Sequence, residues 1–142
     1  MLDFLVEGLS PDFVPYARGL ELQERERIRV AEQGGPGSLI LLEHEPVFTA
    51  GRRTQPEERP VDTATPIYEV DRGGKISWHG PGQLTGYPIL RLRNQRDLVG
   101  YVRFLESVMI DVIDGFGIQG FRVEGRSGVW TCLLYTSPSP RD

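Results

Sequence analysis

The fold of this chain is decided by residues 67–92, which read IYEVDRGGKISWHGPGQLTGYPILRL. Three apolar segments in this region, 67–70, 75–78 and 87–92, have the length and composition of β-strands. Two glycine-rich stretches separate them, and glycine permits the positive φ values that tight turns often need. We therefore expect 67–70 and 75–78 to form a strand and its returning partner, with a third strand after the second turn.

The N-terminal side of this region adds a strand, a helix and a further strand. Residues 2–9 form a strand candidate, and Ser10-Pro11 has the hydroxyl and the proline that are typical of a helix start. The helix extends to about Gln33, and Ser38–Glu43 is an apolar run typical of a buried strand, which Val47–Thr49 continues. The helix face that we expect to be buried consists of Phe13, Ala17, Leu20, Ile28 and Ala31.

The C-terminal side adds a second helix and two short strands. Asp97 is a suitable cap for a helix that extends to about Gly115, and strand candidates follow at 118–123 and 129–130. The wide apolar stripe of this helix predicts that it is the more buried of the two; it contains Leu98, Val102, Leu105, Met109, Val112 and Phe116. The order β-α-β-β-β-β-α-β-β predicts an α/β sandwich on a mixed sheet flanked by helices, rather than a strictly alternating Rossmann unit.

Composition argues against several classes of function. The 142 residues suit one domain, and a net charge of −4 provides no basic surplus for binding nucleic acid. A single cysteine, Cys132, rules out an internal disulfide, and with two histidines and no HExxH spacing we expect no metal site. No apolar segment approaches the length that crosses a bilayer, and no basic lead-in marks a signal peptide. We therefore expect a cytoplasmic protein that binds neither a membrane nor nucleic acid.

The last ten residues, 133–142, differ from the rest of the chain. They read LLYTSPSPRD, and two successive Ser-Pro pairs cannot continue a strand because proline has no N–H to donate. The string also resembles translated sequencing-adapter read-through. We expect one domain over residues 1–132, followed by a non-native or disordered tail at 133–142.

The strongest candidate site surrounds the middle strand. Arg72 places a fixed charge beside two glycines, and His79 ends the strand at a turn, Gly80–Gln83, whose sequence suits type II. Together the two turns would place Arg72, His79 and backbone N–H groups around a small concavity suited to a carbonyl or phosphate oxygen. Alternatively, the glycines serve only the turns, Lys75 is a solvated strand residue, and His44 is a packing or charged-loop histidine.

Residues 71–84, DRGGKISWHGPGQL, resemble the signature of the octanoyltransferases of lipoate biosynthesis. In that family Arg-Gly-Gly precedes Thr-x-His-Gly-Pro-Gly-Gln, and Ser77 stands here where the family usually has threonine. Residues 43–51 and 128–130 also match family segments, so the resemblance covers about residues 1–130. It implies a fold like the catalytic domain of biotin and lipoate protein ligases, incomplete at the C-terminus.

The resemblance implies acyl transfer without a cofactor. A cysteine thiolate would take an octanoyl group from octanoyl-acyl carrier protein, and a lysine of a lipoyl domain would then receive it. Such domains occur in 2-oxoacid dehydrogenases and the glycine cleavage H protein. In the family a catalytic lysine follows shortly after the strand matched by 128–130, and the cysteine lies further on. The resemblance implies that this fragment lacks both positions: Lys75 falls at a variable site of the signature and Cys132 comes too early, so neither is assigned a catalytic role and we expect the fragment to be inactive. The residues implied to bind substrate are Arg72, Gly73, Gly74, Lys75, Ile76, Ser77, Trp78 and His79.

Two other functions stay open. An ATP-dependent lipoate or biotin protein ligase shares the implied fold, but lipoate ligases typically continue the Arg-Gly-Gly region with His-Asp-x-Gly-Asn. The string His79–Gln83 therefore favours the transferase, and ATP consumption would distinguish the ligase. The other alternative is that the chain is a non-catalytic module that binds an acyl group or a carrier protein. A lysine and a cysteine encoded beyond Trp130 would argue against it.

Overall fold

The described residues, 2–61, 64–92 and 97–131 of a computed structural model, form eight strands, two α-helices and one short 3-10 helix. In chain order these are β1 (Leu2–Gly8), α1 (Tyr16–Ala31), β2 (Gly37–Leu42), β3 (Val47–Ala50), the 3-10 helix (Pro56–Glu58), β4 (Ile67–Glu69), β5 (Ile76–His79), β6 (Thr85–Ile89), α2 (Leu98–Asp114), β7 (Gly120–Phe121) and β8 (Trp130–Thr131). Two compact units divide the chain, Met1–Arg91 and Leu92–Asp142. Cys132 and the expected tail at 133–142 lie outside the described residues.

The first unit contains α1 and two mixed three-stranded sheets, which confirms the α/β prediction. In one sheet the order is β1-β2-β6, with β1 parallel and β6 antiparallel to β2. In the other sheet the order is β4-β3-β5, with β4 parallel and β5 antiparallel to β3.

Two expectations about strand pairing are wrong. The segment after Pro46 does not continue β2 but forms β3 in the other sheet. The segment 75–78 does not return beside β4, because β3 lies between β4 and β5 and hydrogen-bonds to both. Strand pairing depends on long-range hydrogen bonding, which an apolar run and a turn do not specify.

The start and the buried face of the first helix also differ from the expectation. The helix begins at Tyr16 after Pro15 at the N-cap position, so Ser10-Pro11 precedes it. Its buried residues are Gly19, Leu22, Glu26 and Val30, whereas Leu20 is exposed. Because a glycine and a glutamate occupy this stripe, a search for apolar residues selects a neighbouring face.

The main core of the first unit lies between α1 and the β1-β2-β6 sheet. Leu22 of α1 packs with Ile40 and Leu42 of β2 and with Val14, which precedes the helix. Leu5, Tyr87 and Ile89 from the two flanking strands pack against this cluster. Full burial of such side chains contributes about 1.5–3 kcal/mol each, so this cluster holds the helix on the sheet.

The second unit is organised around one buried carboxylate on α2. Glu106 accepts hydrogen bonds from Arg103 at 2.8 Å, from Arg122 at 3.1 Å and from the backbone N–H of Gly128 at 2.8 Å. These bonds hold the pKa of Glu106 below its ordinary value, the bond from Arg103 contributing most. The expected cap is confirmed, since Asp97 Oδ1 accepts from the N–H of Gly100 at 2.7 Å.

The expectation that α2 is the more buried helix is wrong. Among its described residues only Glu106 is buried, whereas α1 buries four. Most of the predicted stripe is exposed, including Leu98, Met109 and Phe116. Within the described part of its own unit, α2 packs against β7, and a two-residue strand is too short to cover a stripe of this length.

Candidate functional site

The candidate site is built on the pairing of β3 with β5. In their antiparallel register Thr49 lies opposite Ser77, and Val47 lies opposite His79. Successive side chains of a strand point to opposite faces, so Ser77 and His79 share a face with Thr49, and Ile76 and Trp78 lie on the other. Thr49 is only 2% exposed, which makes its hydroxyl a buried polar group that needs hydrogen-bond partners.

Arg72 folds back onto the chain and clamps the turn to β3. Its Nη2 donates to the carbonyl and the hydroxyl of Thr49 at 2.9 and 2.8 Å. Its Nη1 donates to the carbonyls of Gly73 and Lys75 at 3.1 and 2.9 Å. The guanidinium therefore fixes the shape of the 72–75 turn through both terminal nitrogens, besides supplying positive charge.

Three glycines near this clamp have different physical roles. Gly74 has φ +91°, a conformation that disfavours any side chain. A Cβ on Gly51 would lie 2.6 Å from the carbonyl oxygen of Gly74 and 2.8 Å from Nη1 of Arg72. A Cβ on Gly73, in contrast, would meet no atom within 4 Å. The folded chain therefore requires glycine at 51 and 74, while the space beside Gly73 is open.

His79 is held at the other end of β5 by the turn that follows it. Gly82 has φ +84°, and the N–H of Gln83 donates to the carbonyl of Gly80 at 3.0 Å, as the type II prediction requires. Gln83 Oε1 lies 2.6 Å from Nδ1 of His79, and Thr49 Oγ1 lies 3.3 Å from its Nε2. Arg72 and His79 thus converge on one hydroxyl, so the structure brings together the two side chains that the sequence placed at one site.

The remaining predicted site residues lie along β5 and its approach. Lys75 is exposed and forms an ion pair with Glu58 of the 3-10 helix, as expected of a solvated lysine. Ser77 is exposed, and Ile76 is half-buried. Trp78 is 42% exposed, and a Cβ on Gly80 would lie 2.3 Å from its ring, so the indole covers the backbone of that glycine.

A buried histidine, His44, lies next to His79. The ring centroid of His44 lies 6.3 Å from that of His79, and His44 is completely buried. Its Nδ1 lies 2.9 Å from the carbonyl of Val14 and its Nε2 lies 2.7 Å from the hydroxyl of Tyr87. Since a carbonyl only accepts, Nδ1 carries the proton and Nε2 accepts from the tyrosine. His44 is therefore a packing histidine, one of the two roles that the sequence left open.

Burial governs the titration of this supporting cluster. It lowers the pKa of His44, and the charge of His79 lowers it further, while the bond to Val14 opposes both. Burial likewise raises the pKa of Tyr87 and of Tyr16, whose ring lies 5.3 Å from His44 and 4.8 Å from Tyr68. With His44 uncharged and the tyrosines neutral, the interior beside His79 carries little charge near neutral pH.

A carboxylate fixes the position of the second turn. Glu43 Oε2 accepts from the N–H of Gly82 at 2.7 Å, and its Oε1 accepts from the N–H of Ser10 at 3.4 Å. Sequence reasoning did not assign roles to Glu43, Thr49 or Gln83. Glu43 and Thr49 fall within the family-like segment 43–51, and Gln83 within 71–84, but only the fold shows which groups they contact.

Neither metal binding nor membrane spanning has support within the described ranges. In residues 2–61, 64–92 and 97–131 there is no group of three or more His, Cys, Asp or Glu side chains that could hold a metal ion. In the same ranges no helix is both long enough and apolar enough to cross a bilayer.

Comparison with known proteins identifies the family. A family model described as the lipoyl protein ligase A/B catalytic domain matches residues 15–132. The chain belongs to this family. The match includes every side chain of the Arg72–Thr49–His79 arrangement, and the mixed α/β architecture fits a fold like that of biotin and lipoate ligases. This match, together with the similar octanoyltransferases described next, confirms the resemblance drawn from residues 71–84.

Several members of the family with curated names are closely similar to the chain. An octanoyltransferase of Leifsonia xyli subsp. xyli (strain CTCB07) is 56% identical over 130 residues, which cover 92% of this chain and 58% of that protein. An octanoyltransferase of Thermobifida fusca (strain YX) is 54% identical over 130 residues, covering 90% and 55%. One from Clavibacter michiganensis subsp. michiganensis (strain NCPPB 382) is 49% identical over 142 residues, covering 100% and 60%. The chain thus spans between 55% and 60% of the length of these relatives.

Proposed function

We propose that this chain supplies the acyl-binding part of an octanoyltransferase that acts in protein lipoylation. In the proposed reaction a cysteine thiolate attacks the thioester of octanoyl-acyl carrier protein, and the carrier thiol leaves with a proton. The ε-amine of a lysine on a lipoyl domain then attacks the enzyme-bound thioester. An amide forms, the cysteine is released as a thiol, and no redox or nucleotide co-reactant is needed.

The proposal is supported by the position of the Arg72–Thr49–His79 arrangement inside the segment shared with relatives named octanoyltransferase. Within it we assign substrate binding to the turn and strand from Arg72 to His79. The open space beside Gly73 suits the close approach of a substrate to the backbone, because neither its backbone conformation nor a neighbouring atom requires glycine there.

We further propose that neither Cys132 nor Lys75 is the nucleophile or the catalytic lysine, and that the part of the relatives' length not spanned here supplies both. Lys75, the one lysine of the sequence, is exposed and paired with Glu58, which is a poor environment for lowering the pKa of a thiol. Residues 1–132 would then form part of the catalytic domain, with 133–142 as a non-native or disordered tail. The partners would be octanoyl-acyl carrier protein and lipoyl domains such as those of 2-oxoacid dehydrogenases and the glycine cleavage H protein, in the cytoplasm.

A chimera tests this proposal directly. Residues 1–131 of this chain would be followed by the C-terminal region of the Leifsonia xyli octanoyltransferase, which is similar enough for the junction to fold. The chimera, the 142-residue chain and the C-terminal region alone would each be incubated with octanoyl-acyl carrier protein and an apo lipoyl domain. Mass spectrometry would measure addition of one octanoyl group to the lipoyl domain.

We expect transfer by the chimera without ATP, and none by either piece alone. The variant His79→Ala in the chimera should reduce kcat/KM by about 10²-fold or more, the scale of lost positioning at an acyl-transfer centre. Transfer by the 142-residue chain would contradict the assignment of the nucleophile to another segment. A folded chimera that transfers octanoate only with ATP would replace the transferase with a ligase.

A further inference from the structure

We infer that Gln83 is a positioning residue that fixes the imidazole of His79 as the tautomer protonated at Nδ1. The hydrogen bonds at the two ring nitrogens of His79 lead to the same assignment of the proton. Nothing in this assignment depends on the identity of the substrate. Its use in acyl transfer rests on the proposed function.

The partner of Nδ1 is the side-chain amide of Gln83. Its Nε2 donates to the carbonyl of Trp78 at 3.3 Å, which orients the amide so that Oε1 faces His79. Oε1 lies 2.6 Å from Nδ1 of His79, and an amide oxygen can only accept. Nδ1 of His79 must therefore carry a proton.

The partner of Nε2 is the hydroxyl of Thr49. It accepts an N–H from Arg72 at 2.8 Å, and a guanidinium can only donate. The single proton of the hydroxyl is therefore available for Nε2 of His79, 3.3 Å away. Nε2 is then the acceptor, which is the same tautomer that Gln83 requires.

The backbone around Gln83 fixes the position of this amide. The N–H of Gln83 closes the turn onto the carbonyl of Gly80 at 3.0 Å, and Glu43 holds the N–H of Gly82 at 2.7 Å. A side chain anchored on both its backbone and its amide loses less entropy when it binds the ring. Gln83 is therefore better placed to decide the tautomer than the Thr49 hydroxyl, whose proton has more than one rotamer about the C–O bond.

Within the part of the chain that the structure describes, the other charged or titratable groups near the ring do not provide a competing partner. His44 lies 6.3 Å away between ring centroids, and both its nitrogens bond to Val14 and Tyr87. The guanidinium of Arg72 reaches the ring only through Thr49. The result is a directional chain of hydrogen bonds from Arg72 through Thr49, His79 and Gln83 to the carbonyl of Trp78.

Nitrogen-15 NMR of the imidazoles tests the inference on the 142-residue chain itself. Ring nitrogens that carry a proton and those that do not have widely separated shifts, and the measurement is made at about pH 8, above the ordinary imidazole pKa of about 6.5. The chain has two histidines, so His79→Gln assigns the spectrum by removing one set of signals. The ring of His44, held by Val14 and Tyr87, serves as an internal control for the fold.

We expect His79 to be protonated at Nδ1 in the unmodified chain. Gln83→Glu should preserve this tautomer, because a carboxylate oxygen also accepts, and Thr49→Val should preserve it because Gln83 remains. Gln83→Leu should raise the population of the Nε2-protonated form, because the Thr49 hydroxyl can turn to accept from Nε2, with the His44 signals unchanged. A proton on Nε2 in the unmodified chain, or no change in Gln83→Leu, would overturn the inference.

Kinetics of the chimera separate this inference from the proposed function. If the tautomer assignment and the proposed function are both correct, Gln83→Leu lowers kcat by about tenfold or more with little change in KM. Gln83→Glu then retains most of the kcat of the unmodified chimera. If the chimera is inactive while the imidazole spectra are as expected, the proposed function fails and the tautomer assignment stands. If Gln83→Leu shifts the tautomer and leaves kcat unchanged, the assignment stands and its positioning role in acyl transfer is refuted.

Discussion

Replacing Gly19 of α1 with alanine sets helix propensity against packing, and we expect packing to prevail. In a helix interior alanine is more favourable than glycine by about 1 kcal/mol. In this structure, however, the new Cβ would lie 2.6 Å from Cε1 of His44, whereas ordinary van der Waals contact begins at 3.4 Å. Either the helix or the buried ring must move by nearly the difference.

The magnitude follows from what holds the ring in place. His44 is completely buried, and hydrogen bonds to Val14 and Tyr87 engage both its nitrogens, so it cannot turn away freely. Overpacking of a buried site costs about 1–3 kcal/mol, and each hydrogen bond that is stretched forfeits part of about 0.5–1.5 kcal/mol. After subtracting the gain of about 1 kcal/mol in propensity, we expect Gly19→Ala to destabilise the first unit by about 1–3 kcal/mol.

Urea unfolding followed by the fluorescence of Trp78 measures this change within the first unit. A Trp130→Phe background removes the other tryptophan of the chain, so the signal reports on Trp78. Ala17→Gly, at an exposed position of the same helix, provides the propensity change without the clash and should cost about 1 kcal/mol. In a His44→Ala background Gly19→Ala should become neutral or stabilising, because the atom it meets is gone. Stabilisation by Gly19→Ala with His44 intact would refute the reasoning.

Three further predictions concern the same unit. Burial lowers the pKa of His44 below the unfolded value of about 6.5, so the unfolded chain binds the proton first. Stability is therefore retained above that pH and falls with acidification by up to about 1.4 kcal/mol per pH unit. Chemical unfolding between about pH 5 and 7 should show this slope, and His44→Gln should flatten it. Gly51→Ala should destabilise the first unit by about 1–3 kcal/mol, because its Cβ meets a backbone oxygen. Gly73→Ala should change the stability by no more than about 0.5 kcal/mol, because its Cβ meets no atom. Equal shifts of the melting temperature in the two variants would contradict this distinction. Glu43→Gln should speed amide hydrogen exchange at the Gly80–Gln83 turn by about tenfold or more, since a charge-assisted bond is worth about 1.5–3 kcal/mol. Glu45→Gln, two residues further on, should leave the exchange rate unchanged, and slow exchange in both variants would exclude Glu43 as the residue that holds this turn.

Features that depend on local chemistry were predictable from the sequence. The type II turn required proline followed by glycine, and Gly82 has the positive φ that this turn demands. Asp97 caps α2 because its carboxylate reaches an N–H only three residues away. The glycine turns on each side of β5 predicted that Arg72 and His79 lie close together, and both side chains reach the hydroxyl of Thr49, since the strand between them is short. Each of these features is settled by a few neighbouring residues, whose conformational preferences the sequence states directly.

Features that depend on distant contacts were decided only by the tertiary structure. β3 separates β4 from β5 because hydrogen bonds between strands distant in sequence outweigh the tendency of a turn to form a hairpin. α1 buries Gly19 and Glu26 because a histidine ring needs space at one position and two arginines compensate the carboxylate at the other. The bond of Gln83 to His79 joins neighbours in sequence, yet its meaning depends on Thr49, thirty residues away from the histidine. Local preferences are encoded residue by residue, whereas partners across a core exist only once the whole chain has packed.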